Sequence, residues 1–409
     1  MELNPSVLTE AAHSDALRAN GTVLGPLHGI PVLIKDNIAS FTNNNTAGSV
    51  CMLGSKPKVE STLVIALRKA GAIILGKANM SEWAGARSGG GASIGWSGYG
   101  GQCRAAYIPN QNPGGSSSGS AVAVSVGLAP AALGTETDGS IINPSERSHL
   151  VGVKPTMGLT SRFGVIPITH RQDTVGPMCK SVRDCAIVLG VLAGKDGRDN
   201  YTSVQPFDTP PDYLKALDMG ALKGAKIGVP WNLMDHALWP GRMDKADHVE
   251  FIVSSFKKSL QVLEDAGATI VTANYTFLNA SYEDFRNWRS DNGTITFEAD
   301  MKSGLEEYLD GLEVRPPGIN TIEDMINCTK HDPRERYPEV DMETWDDVMK
   351  NNYSAGSAEV WEAYQAGMKL AGEGAILGAL ENHGVDALVA PSFIAVSRRK
   401  VHLSLHEQC

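Results

Sequence analysis

Short, nearly continuous apolar runs bounded by turn residues predict buried strands at Gly29 to Lys35 (GIPVLIK), Ala72 to Lys77 (AIILGK), 226–230 (KIGVP) and in the late run DALVAPS. Between the first two, STLVIALRKAG at 61–71 has helical spacing and a glycine stop. Strand, helix and strand then form one unit, with a right-handed parallel crossover as its default topology. AVAVSV at 121–126 predicts a small-residue helix packed on a sheet, with the preceding serines as N-cap candidates. AALGTETDGS leads from a short apolar run into a Gly/Ser turn, and VGVKPTMG and SRFGVIPI predict further short strands. No apolar period survives from Ser88 to Ser120, which predicts a loop region. Helical spacing returns at 181–193 and 245–267, and beyond about 275 the chain is acidic and helical up to LGALENHG. No repeat or low-complexity linker divides it. The expectation is a single α/β domain over 1–409, with catalytic-core motifs at 22–195 and an acidic helical covering region at about 275–385.

Composition narrows the partners. With 36 Lys+Arg against 46 Asp+Glu the formal charge is -10, which leaves no broad basic face for a phosphate backbone, so nucleic acid is excluded as an expected partner. The first 200 residues carry 17 basic and 13 acidic side chains, and the remainder 19 and 33, so the chemistry is expected in the first half. No apolar window is long enough to span a bilayer, and the first residues lack the basic-then-apolar form of a signal peptide, so the chain as written reads as cytoplasmic. N-x-[ST] sequons, among them those at Asn20, Asn44, Asn200, Asn274, Asn279, Asn292, Asn327 and Asn352, pull toward a secretory history. Composition alone would give roughly three. The cysteines at 51, 103, 179, 185, 328 and 409 form no C-x-x-C pair and lie beside no histidine cluster. They are expected to be buried or idle thiols rather than zinc ligands or a dense disulfide framework.

Two Gly/Ser turns, GGSSSG at 114–119 and TDGS at 137–140, bracket the small-residue helix. Each sets a hydroxyl beside main-chain N–H groups, which suits nucleophilic attack on a carbonyl and stabilisation of the oxyanion. Taken singly, such turns also read as helix caps. Gly115 to Gly119 satisfies G-x-S-x-G with Ser117 central, but PNQNP precedes it where the nucleophile elbow needs a strand. GYGGQC does not complete G-x-G-x-x-G, and neither a P-loop nor H-E-x-x-H occurs. Lys35 ends a buried strand. Desolvation there would lower its pKa and make it a general base, although a lone strand-end lysine also reads as a surface ammonium.

The blocks GPLHGIPVLIKDNI, GKANMSEW, NPGGSSSGSAVAVSVGLAPAALGTETDGSI and LVGVKPTMGLTSRFGVIPI with QDTVGPM occur in the order found in the amidase signature family, which the chain resembles strongly over 22–195 and diffusely to about 392. The resemblance implies a mixed β-sheet core surrounded by helices and an amide hydrolase of the stand-alone branch, working through an acyl-enzyme. By motif, Lys35 would be the base, Ser116 the bridging serine on a cis peptide and Ser140 the nucleophile. The backbone of Thr137, Asp138, Gly139 and Ser140 would form the oxyanion hole, and Trp83, Arg104 and Tyr107 are candidate substrate contacts. A small-molecule amide is the implied partner, with a homodimer compatible and no metal or organic cofactor required. Alternatives from the same resemblance are the A-type subunit of a glutamine-dependent tRNA amidotransferase and a non-catalytic remnant. Where the family usually has Asp-x-Gly-Gly-Ser-Ile-Arg, this chain has Glu136 to Ile142 as ETDGSII, so the Asp–Arg support of the turn is expected to be missing. Relative to the family the chain is also expected to be shortened at both termini, and a lost N-terminal signal would allow secretion.

Overall fold

The structure is a computed structural model that describes residues 1–88, 94–234, 246–279 and 293–391. Sequon Asn292, Cys409, residue 245 of the expected helix, residue 392 of the last expected strand and the tail after it lie outside the described residues. The described residues divide into two compact units, one within 1–214 and 300–352, the other within 215–299 and 353–391. The acidic region expected at about 275–385 contributes to both units. It is helical, with Thr294–Asp310, Ile322–His331, Glu343–Asn351, Ala358–Ala371 and Leu377–His383.

The first unit is built on a six-stranded mixed sheet. Its strands are β1 (Glu2–Leu3), β2 (Pro31–Lys35), β3 (Ile73–Ala78), β4 (Ala131–Glu136), β5 (Val151–Gly152) and β6 (Thr174–Cys179), in the order β1-β3-β2-β4-β6-β5. β3, β2 and β4 are mutually parallel, whereas β1, β6 and β5 pair antiparallel to their neighbours. The helices of this layer are α1 (Val7–Ala19), α2 (Thr62–Lys69), α3 (Ser118–Ser125), α4 (Ile142–Arg147) and α5 (Val182–Leu192). α2 starts where the Ser61 side chain accepts the Leu63 amide, and α5 where Ser181 accepts that of Asp184, each satisfying one orphan N–H.

β2 and β4 are buried on both faces, which explains why they read as continuous apolar runs. On one side Val32, Ile34, Leu133 and Val175 pack with Leu63 and Leu67 of α2 and Cys185 and Val188 of α5. On the other, Leu33, Ala78 and Ala132 pack with Ala123 and Val124 of α3. α3 approaches closely enough that a Cβ on Gly119 would lie 2.5 Å from the Asn79 amide nitrogen, so its small residues are demanded by packing.

Two strand expectations change. SRFGVIPI carries only an isolated bridge from Val165 to Ile38, because Gly164 turns with φ of +76° and Pro167 follows. VGVKPTMG yields only Val151–Gly152 before Pro155. The QDTVGPM block instead supplies β6. The expectation of idle thiols is overturned for one pair: Cys51 and Cys328 form a disulfide, while Cys103, Cys179 and Cys185 are free. Packing of two segments 277 residues apart brings those sulfurs together, which spacing cannot reveal.

The second unit has a parallel three-stranded sheet of Thr269–Thr272, Lys226–Val229 and Ala387–Leu388, with the long helix Ala246–Asp265 beside it. No helix among the described residues is long and apolar enough to cross a membrane, and these residues hold no metal-binding cluster of His, Cys, Asp or Glu.

Candidate active site

Parallel pairing of β2 with β4 puts the carboxyl ends of both strands on one edge, so Lys35 and Thr135 meet there. The Lys35 side chain is fully buried, and its Nζ donates to Ser116 Oγ at 2.7 Å, to Thr135 Oγ1 at 2.8 Å and to the Thr135 carbonyl at 3.1 Å. Asn37 Nδ2 donates to the same Thr135 hydroxyl at 3.0 Å. Burial lowers the Lys35 pKa from 10.5 to about 7, against the opposing charges of Asp173 and Glu136. The surface-ammonium reading is thereby excluded.

Ser116 lies two residues before α3, and its peptide bond with Gly115 is cis. A Cβ at 115 would sit 2.5 Å from Ser81 Oγ, so glycine lets the two segments approach without displacing that hydroxyl. Ser117 serves the scaffold instead. Its hydroxyl donates to the Thr135 carbonyl at 3.2 Å, and its amide donates to the Ser140 carbonyl at 3.1 Å. The start of α3 is thus tied both to β4 and to the turn that carries Ser140. Ser116 and Ser140 are both buried, at 2% and 6% exposure.

The turn after β4 is organised by Glu136, a residue that stands out in sequence only as a departure from the family motif. Its carboxylate accepts the amides of Gly139 at 2.8 Å, Ile141 at 2.6 Å and Ile142 at 3.0 Å. With Ile142 in the arginine's place the Asp–Arg support is absent, as expected, and the longer acid at 136 holds the turn by itself through these amides. The Gly139 amide is engaged by this carboxylate, which removes it from the donors expected for an oxyanion. Gly139 itself turns with φ of +74°, and nothing lies within 4 Å of where its Cβ would be. Thr137 is held by its hydroxyl, which donates to Asp173 Oδ1 at 2.5 Å. Asp173 also accepts the amides of Ile168 at 2.8 Å and Thr169 at 3.1 Å. Burial raises its carboxyl above the ordinary value, opposed by these hydrogen bonds.

A second buried lysine fixes the other side. Lys77 of β3 donates to the carbonyls of Asp36, at 3.0 Å, and Ile38, holding the turn that follows Lys35. Thr135, Asn37, Glu136, Asp173 and Lys77 are not among the residues that motif reasoning singles out. The one available signal is Glu136 itself, which departs from the family motif four residues before Ser140.

The three candidate substrate contacts lie in different surroundings. Trp83 is 2% exposed, with its ring 5.2 Å from that of Trp345 in an edge-to-face pair. It packs between segments of the first unit. Arg104 is exposed, and Tyr107 is a surface residue whose ring stacks edgewise on His149 and whose hydroxyl accepts from Ser125 Oγ at 2.8 Å. Trp83 instead neighbours an ionic cluster in which fully buried Arg87 pairs with Glu82 and Glu335, each at 2.9 Å, and donates to the Glu335 and Val340 carbonyls. Burial, and next the Glu335 charge, push the Glu82 carboxyl well above its ordinary pKa.

A family model described as Amidase matches residues 1–404. A putative amidase of Arthroderma benhamiae is 44% identical over 395 residues, covering 96% of this chain and 64% of its own length. The A-type glutamyl-tRNA(Gln) amidotransferase subunit of Chloroflexus aurantiacus is 39% identical over 273 residues, 66% of this chain and 52% of its own. The chain therefore spans less than two thirds of the length of either curated relative. Among solved structures, the peptide amidase of Stenotrophomonas maltophilia superposes with a TM-score of 0.83 at 36% identity, covering 96% of this chain and 76% of that one.

Proposed function

Given that this chain belongs to the amidase family, we propose that it hydrolyses a carboxamide with Lys35 as base, Ser116 as proton relay and Ser140 as nucleophile. The observation that carries the reading is the 2.7 Å hydrogen bond from Lys35 Nζ to Ser116 Oγ in a site where burial brings the lysine pKa to about 7. A neutral amine there takes the Ser116 proton as Ser116 takes that of Ser140. The Ser140 oxygen adds to the amide carbonyl, and the oxyanion is held by main-chain amides of the turn 137–140 other than the one engaged by Glu136. Return of the proton through Ser116 to the leaving nitrogen expels ammonia or an amine. Water then releases the acid from the acyl-enzyme by the same relay.

Similarity to the peptide amidase makes peptide carboxamides the first substrate class to test. Similarity to the amidotransferase component supports a second reading, in which the ammonia is handed to a partner, but it extends over a smaller share of the chain. The test is fluorophosphonate labelling of the full chain and of its Ser140→Ala variant, followed by a panel of peptide, aryl and alkyl amides and glutamine. Labelling that depends on Ser140, with turnover of an amide other than glutamine, is expected. Absence of both labelling and turnover in a folded protein overturns the proposal, and turnover of glutamine alone supports the second reading.

A further inference from the structure

The sequons and the disulfide are not used by the amide chemistry, and they point to one environment. Three sequon asparagines occupy exposed turns of the first unit. Asn20 follows the last residue of α1 and precedes Gly21, whose φ is +80°. Asn200 opens a short 3-10 turn just after Asp199. Asn352 caps the helix Glu343–Asn351 in the left-handed region, and its Oδ1 accepts from Lys302, so this contact does not engage the amide nitrogen that a sugar would modify. Asn44 differs: its Nδ2 donates to Glu2 Oε1 at 2.7 Å, and its backbone amide donates to the other oxygen of that carboxylate. Asn274 is half-buried and accepts the Asn232 amide. Asn327 is exposed but lies within a helix, beside the bridged Cys328.

The disulfide is an independent observation. Cys51 is buried, and its bond to Cys328 joins two segments of the same unit. Such a bond persists in an oxidising compartment and is reduced by the thiol pools of the cytosol. N-linked sugars are attached in that same kind of compartment.

We infer that this protein matures in a secretory compartment, where Asn20, Asn200 and Asn352 receive N-linked oligosaccharides and Cys51 is oxidised together with Cys328. In the first step the asparagine amide nitrogen forms a bond to the anomeric carbon of a lipid-pyrophosphate-linked oligosaccharide. It loses one proton, and the lipid pyrophosphate departs with the electrons of the broken C–O bond. In the second, two thiols give up two protons and two electrons to a protein disulfide oxidant, which becomes a dithiol. Transfer of sugar precedes folding, so burial of Thr202, the hydroxyl residue of the Asn200 sequon, is no obstacle.

The test uses the protein isolated from its source cells and their medium. Thiols are alkylated before any reduction, the protein is treated with peptide N-glycosidase F in heavy-oxygen water, and peptides are mapped by mass spectrometry. The expected result is heavy aspartate at positions 20, 200 and 352 and a Cys51–Cys328 cross-linked peptide that only reduction separates. Unlabelled asparagine at all three positions, or Cys51 and Cys328 alkylated without reduction, overturns the inference. Neither outcome depends on which amide, if any, the protein cleaves.

Discussion

Lys35 shows how one buried amine couples activity to stability. Its native pKa of about 7 lies below the ordinary 10.5, so the folded chain sheds a proton that the unfolded chain retains. Between those two values the unfolded state binds more protons, and stability therefore rises with pH; below about 7 the full penalty of burying an ammonium is present. Activity needs the neutral amine, so kcat/KM should climb with pH through about 7, checked by a rate profile with a neutral amide. Lys35→Met should reduce turnover by at least about 10³-fold. The same variant should be more stable than the parent at pH 6 to 7 and lose that advantage as pH rises toward 10.5, read as the urea midpoint. A parent profile flat between pH 6 and 8 would count against Lys35 as the base. At this scale Lys35, Ser116 and Ser140 are legible because each stands in a motif block. The role of Trp83 is not, because an indole in sequence carries no sign of whether it faces ligand or Trp345.

Among the elements, the turn between β4 and α4 carries the most consequence. Three amides converge on the Glu136 carboxylate, an arrangement of charge-assisted hydrogen bonds that sets where the remaining N–H groups of the turn point. Glu136→Gln keeps the volume but presents an NH₂ group to at least one of those donors. The expected result is a fall in kcat of about 10²-fold with KM little changed, since the loss is in oxyanion alignment rather than in binding. Circular dichroism should remain that of the parent, which separates misalignment from unfolding. The strands and helices of this region are largely legible from periodicity, since buried parallel strands and capped helices carry local signatures. The SRFGVIPI segment is not, because its apolar residues pack from a loop shaped by Gly164 and Pro167.

For the whole molecule, the disulfide closes a loop of 277 residues within the first unit, tying the segment around Cys328 to the segment that follows β2. Without that bond the unfolded chain is less constrained. Reduction, or Cys51→Ser, should therefore destabilise the protein by about 2–5 kcal/mol, measured as matched urea transitions with and without reductant. An unchanged midpoint would show that the native contacts alone hold these segments together. The amino-acid sequence by itself determined the family resemblance, the strand-helix-strand core and the three residues of the proposed relay, because each lies in a contiguous block whose pattern is local. Only the tertiary structure decided that Cys51 finds Cys328, that Arg87 pairs with Glu82 and Glu335, that Glu136 holds the turn carrying Ser140 and that the described residues divide into two units. Those are pairings between groups whose separation in sequence carries no information about their distance in space; they follow from how the sheet and its helices pack, and from the penalty for leaving a buried charge or donor without a partner.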